Sequence, residues 1–183
     1  MIRYFKKAIP VSIIATGIMA SASFADTFTL RVGSGHPSKP TAYVTNMEKV
    51  LVPNIKKRVA AETNHKVRII EAYAGKIAKV HETLEAVEKG LLDIGSYCVC
   101  FETAKLLPWN FDYFVPFTTT NLETNWAVKH KILKQFPYLT KMLEDKYNQK
   151  FIAMQGFDDY GLGTVKQWQK ASELKGVKVI AAG

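Results

Sequence analysis

Few residues in this chain could carry chemistry. Cys98 and Cys100 are its only cysteines, in Tyr97-Cys98-Val99-Cys100. On a strand, side chains two apart share a face, and a bridge between them closes a very tight ring, so two buried thiols are expected rather than a disulfide. The four histidines, His36, His65, His81 and His130, form no His-Glu-x-x-His pair, and no Gly-x-Ser-x-Gly or Walker pattern occurs. Gly33-Ser34-Gly35 lacks the third glycine of a dinucleotide loop. No catalytic residue, metal or cofactor is therefore assigned, and the chain is not read as an enzyme. Asp158 and Asp159 have two readings: binding a cationic or hydroxylated ligand, or capping the turn that follows. Tyr160 and Trp109 offer aromatic faces for stacking or for packing. Lys178 either presents a charge to a ligand or lies solvated on a strand.

The elements that must position these groups show in the hydrophobic spacing. Residues 28–32 alternate as a half-buried strand and end at Gly33-Ser34-Gly35-His36-Pro37. Apolar residues at three- and four-residue spacings over 41–62 predict an amphipathic helix, kinked at Pro53. A second strand is expected over 66–73 and a helix over 78–89, stopped by Gly90. A buried strand over 91–99 comes next, then helices over 121–136, opened by Asn121, and over 138–147. Strands over 150–156 and 177–181 complete the pattern. Strands alternating with helices imply βαβ units and a mostly parallel sheet, an α/β fold. Such a sheet binds ligands beyond the C-terminal ends of its strands. That nominates His36 after the first strand, and Ser96 with Tyr97 after the third. It also nominates Lys79 and His81 at the helix start after the second, where backbone N–H groups favour an anion.

With 183 residues, the chain has room for one ordinary domain and a fraction of another. Hydrophobic residues at 48% and charged residues at 22% exclude a disordered or low-complexity chain. Arg3, Lys6 and Lys7 precede an apolar run from Ala8 to Ala20, and Ser23-Phe24-Ala25 supplies a small-residue exit before Asp26. This is the pattern of a secretory signal peptide over residues 1–25, so export is expected. Without those three basic residues, 25 Lys plus Arg fall to 22 against 16 Asp plus Glu, and the net charge from +9 to +6. The excess is scattered among acidic and apolar neighbours, as on solvated faces. Nucleic-acid binding would need it clustered with exposed aromatics, so no nucleic-acid partner is assigned.

The order of these signals resembles a known family. A strand ending near His36-Pro37 and a long helix lead into Ala72-Tyr73-Ala74-Gly75. The helix Glu82-Thr83-Leu84-Glu85-Ala86-Val87-Glu88-Lys89-Gly90 follows, then Leu91-Leu92-Asp93-Ile94-Gly95-Ser96. Phe114-Val115-Pro116-Phe117 and Glu173-Leu174-Lys175-Gly176-Val177-Lys178-Val179 complete the set. Together these resemble the DctP-type solute-binding proteins of TRAP transporters. The resemblance implies a periplasmic-binding-protein-like flytrap of two α/β lobes closing on a small organic solute, an organic acid in most of the family. It also implies a periplasmic monomer that passes its solute to TRAP membrane subunits. Family members are much longer, so residues 26–149 would be most of a first lobe, 150–183 the opening of a second, and the chain truncated. By this resemblance Asp158, Asp159, Tyr160 and Lys178 fall on the second-lobe side of the ligand. The family's two arginines are replaced here by Ile180 and Gly163, which leaves the ligand class open. A binding protein of an ABC importer shares the flytrap layout, and a secreted α/β enzyme or inactive fragment is the reading from another class.

Overall fold

The computed structural model describes residues 25–115, 119–156 and 162–180. Residues 1–24, which hold all but the last position of the segment read as a signal peptide, lie outside the described residues, as do Asp158, Asp159, Tyr160, Gly161 and the proline-phenylalanine pair at 116–117. Strand β1 (Thr27–Gly33) becomes progressively buried toward its end, where Val32 and Gly33 are enclosed. Strand β2 (Lys66–Ala72) alternates between exposed and half-buried residues until Ala72. The two pair in parallel over their whole lengths, from Thr27 against Lys66 to Gly33 against Ala72. Strand β3 (Ile94–Gly95) pairs in parallel with the other side of β1, giving the order β2-β1-β3. The chain is thus α/β with a three-stranded parallel sheet. Its direction of winding reverses at β1, so a crevice opens between the loops after β1 and β3.

Helix α1 (Ala42–Asn46) runs through a π-helical turn at Met47–Leu51 into α2 (Val52–Glu62). The irregularity expected at Pro53 therefore lies just upstream of it. A proline has no N–H to donate and its ring presses on the carbonyl four residues earlier. That carbonyl belongs to Lys49, inside the widened turn. Val44, Met47 and Val52 are buried on the sheet side, where Met47 and Val52 meet Val32 with Leu30, Ile69 and Ile94 around them.

A 3-10 turn at Val80–Glu82 leads into α3 (Thr83–Glu88), which Gly90 terminates with φ +68°. Leu84 of α3 joins Leu106, Trp109, Leu133, Leu139 and Leu143 in a second core. It sits between α3, the 3-10 segment Leu107–Phe114, α4 (Leu122–Gln135) and α5 (Tyr138–Tyr147). Asn121 opens α4 as expected, its side-chain oxygen accepting the Thr124 N–H at 2.8 Å.

Three strand expectations need correction. Of residues 91–99 only Ile94–Gly95 is a strand, and 150–156 and 177–180 are not strands. All three stretches have strand composition, but a strand exists only against a neighbour, and β1 is the one neighbour β3 has among the described residues. No helix among the described residues is long and apolar enough to cross a membrane.

The loop after β1 is fixed by close approach. A Cβ at Gly35 would stand 2.3 Å from the Val80 nitrogen, whereas one at Gly163 would meet nothing within 4 Å. Gly35→Ala is expected to cost about 2–3 kcal/mol in urea denaturation, by forcing two backbones apart. Gly163→Ala should stay within about 0.5 kcal/mol of the parent.

Candidate functional site

Three loops leave the sheet at one end, and hydrogen bonds bind them together. Ser34 N–H donates to the Ala72 carbonyl at 3.1 Å, Ala74 N–H to that of His36 at 3.0 Å, and Ser96 N–H to that of Gly33 at 3.0 Å. Gly35 N–H donates to Thr83 Oγ1 at 3.2 Å, which ties the first loop to the start of α3. Beside these strand ends lies a cleft of about 1070 Å³. That volume is at the top of the usual range for small-molecule sites.

One wall of the cleft is the outer side of β3 and its continuation through Ser96, Tyr97 and Cys98. The facing walls come from Tyr43 and the π-helical turn, from Trp126 and Lys129 of α4, and from residues 148–156. Most of this surface is apolar. Its charged side chains are an ion pair between Lys129, almost fully buried, and Asp112 Oδ2 at 2.5 Å, together with Asp93, which pairs with Arg31, and the exposed Lys150. The other carboxylate oxygen of Asp112 is buried and accepts no hydrogen bond from the described residues.

The structure brings two of the nominated residues, Ser96 and Tyr97, into the cleft wall. The Tyr97 hydroxyl donates to Gln149 Oε1 at 3.2 Å, and Gln149 Nε2 donates to the Leu84 carbonyl at 2.7 Å. Burial, and secondarily the carboxylates of Glu102 and Glu85, push the Tyr97 hydroxyl well above its ordinary pKa. It is therefore a hydrogen-bonding group at neutral pH and not a base. His36 stands one layer behind the wall. Its Nδ1 lies 2.6 Å from the hydroxyl of Tyr43, which does line the cleft, and its ring packs 5.2 Å from Phe101.

The helix start nominated for an anion has partners of its own. Lys79 N–H donates to Glu82 Oε2 at 2.9 Å, and the Gly35 backbone occupies the approach. His81 also packs against Phe101, edge-on at 5.4 Å, and its Nδ1 meets the Phe101 carbonyl at 3.1 Å. Lys79 itself is exposed and away from the cleft. Lys178 is exposed in a stretch without strand structure, so its placement on a strand is corrected. Trp109 is buried, with Nε1 donating to the Leu139 carbonyl at 3.1 Å, which makes it a packing residue.

The cysteines are the clearest correction. Cys98 and Cys100 form a disulfide, with Cα atoms 5.2 Å apart, and are half-exposed instead of buried thiols. The expectation assumed a strand through both residues. The strand ends at Gly95, and Cys98 instead caps a 3-10 turn at Val99–Glu102, accepting the Cys100 N–H on its sulfur. A turn brings residues two apart closer than a strand does.

Sequence reasoning missed Tyr43, Asp112, Lys129 and Gln149 as wall residues. Lys129 reads as one of several surface lysines, and only the tertiary fold pairs it with Asp112. Among the described residues no group of three or more His, Cys, Asp or Glu side chains could hold a metal ion. No family model matches the chain, and no curated protein or solved structure matches it.

Burial, and then the charge of His81, hold the His36 imidazole below its ordinary value. A histidine with a lowered folded pKa contributes stability that is present above its unfolded pKa of about 6.5 and is lost as pH falls through the folded value. In an NMR titration His36 should titrate below that reference and move upward in His81→Gln. A parent midpoint at or above the reference would contradict this account.

Proposed function

We propose that this chain is the periplasmic solute-binding component of a TRAP-type transporter and captures a small organic solute, an organic acid by family resemblance. Residues 26–149 are most of its first lobe, and the solute meets the loops at the strand ends. Residues 150–183, with Asp158, Asp159, Tyr160 and Lys178, begin the second lobe. The observation that carries this reading is the cleft beside a parallel sheet of order β2-β1-β3, with Ser96 and Tyr97 in its wall. It opens where an α/β sheet offers loop N–H groups and side chains to a ligand. The apolar surroundings with a few convergent polar groups suit a small solute.

A panel of mono- and dicarboxylates, amines and aromatic acids, followed by backbone NMR, tests the proposal even where binding is weak. One organic acid should shift the amides of residues 34–36 and 96–98. Ser96→Ala should weaken that ligand about tenfold, or ~1.4 kcal/mol, while stability changes by less than about 0.5 kcal/mol. Silence across the whole panel would overturn the assignment, as would turnover of esters, glycosides or peptides. Neighbouring genes for a small and a large TRAP membrane protein would favour this transporter class, and an ATPase gene the ABC alternative.

A further inference from the structure

The disulfide joins residues only two positions apart. The entropy that a cross-link removes from the unfolded chain grows with the loop it closes, and this loop is close to the shortest possible. The turn that carries the bond is held by other contacts. Phe101 N–H donates to the Cys98 carbonyl at 3.2 Å, Asn110 Nδ2 to the Val99 carbonyl at 3.1 Å, and Thr103 Oγ1 to the Cys100 carbonyl at 2.9 Å. Asn110 is buried and also donates to the Leu106 carbonyl at 2.9 Å. As a staple the bond therefore adds little, and opening it leaves both sulfurs where they can rejoin.

The surroundings of Cys98 suit a sulfur that leaves. Its Sγ accepts the Cys100 N–H at 3.3 Å. It also lies 3.7 Å from the Tyr113 hydroxyl, which must be the donor because a bridged sulfur carries no proton. Donors that favour a thiolate make its sulfur the better leaving group. Cys98 and Tyr113 line the cleft and Cys100 does not. In-line attack on Cys100 comes from the side opposite Cys98, so it need not pass through the cleft. Both cysteines are partly exposed, within reach of a small thiol. They are the only two in the chain, so the attacking thiol comes from another molecule.

We propose that Cys98 and Cys100 form a reversible thiol–disulfide exchange site whose co-reactant is a small thiol. Its thiolate attacks Cys100 Sγ and forms a mixed disulfide. The Cys98–Cys100 bond breaks, and Cys98 leaves with the electron pair, as a thiolate beside Tyr113 that then takes a proton from water. A second thiolate attacks the external sulfur of the mixed disulfide and releases Cys100. The protein gains two electrons and two protons, and two small thiols become one disulfide. The inference is independent of the transport reading, since it uses only this turn and its neighbours.

Glutathione buffers, with alkylation and mass spectrometry, test it on the folded chain. Two thiols should appear as the ratio of reduced to oxidised glutathione rises and vanish as it falls, with unchanged far-UV circular dichroism. An early acid quench should find glutathione on Cys100. Tyr113→Phe should slow opening about fivefold, with its urea midpoint unmoved. In single-cysteine forms, Cys98 of Cys100→Ser should alkylate at lower pH than Cys100 of Cys98→Ser. A chain with two thiols in air, or a bond opened only by unfolding, would overturn the proposal. So would glutathione trapped chiefly on Cys98, a Tyr113→Phe rate equal to the parent's, or the reverse order of alkylation.

Discussion

The backbone contact at the end of β1 is the constraint on which the rest of the structure depends. A side chain at Gly33 would begin 2.6 Å from the Ala72 carbonyl, and one at Gly35 would collide with the backbone at Val80. With only hydrogen at both positions, the loop after β1 lies directly against the loop after β2 and the start of α3. Ser34, His36 and Thr83 then complete the link through hydrogen bonds to neighbouring backbone. The strand ends become one rigid platform. The cleft walls at Tyr43 and Ser96 inherit their positions from it.

Elements with their own internal periodicity were legible in the sequence. The spacing of Val44, Met47 and Val52 announces a helix, and Asn121 and Gly90 mark a start and a stop by local chemistry that operates before any tertiary contact forms. Strands β1 and β2 were legible because each has the other as a full-length partner. Residues 150–156 and 177–180 have equally good strand composition, yet composition cannot say whether an edge is waiting. Strand structure is a property of a pair, and this information is absent from a single run of residues.

The site was legible to a lesser degree. Ser96 and Tyr97 follow from the general rule for strand ends, because that rule needs only the order of elements. Lys79 does not, because Glu82 three residues on takes its N–H and Gly35 takes the space beside it. Cys98 and Cys100 turn on where β3 stops. Five more strand residues, 96–100, would have set both sulfurs on one face of an extended chain, and the turn at Val99 instead brings them together. The pairing of Lys129 with Asp112 joins two elements seventeen positions apart, and nothing in either local sequence marks it.

The chemistry of the cleft also bears on how an anion would be held. The described arginines are engaged elsewhere: Arg31 with Asp93, Arg58 with Glu62, and Arg68 with the Thr29 hydroxyl. None of the three lines the cleft. The bidentate guanidinium clamp that suits a carboxylate is therefore missing from this wall. Lys129 is committed to Asp112, which cancels its charge at short range. A carboxylate on this wall would rely on hydroxyls such as that of Ser96, on loop N–H groups and on Lys150. Those contacts are individually weaker than a charge-assisted fork and less demanding of a planar carboxylate. The wall is thus better matched to a solute with hydroxyl or amide groups beside its acid than to a simple dicarboxylate.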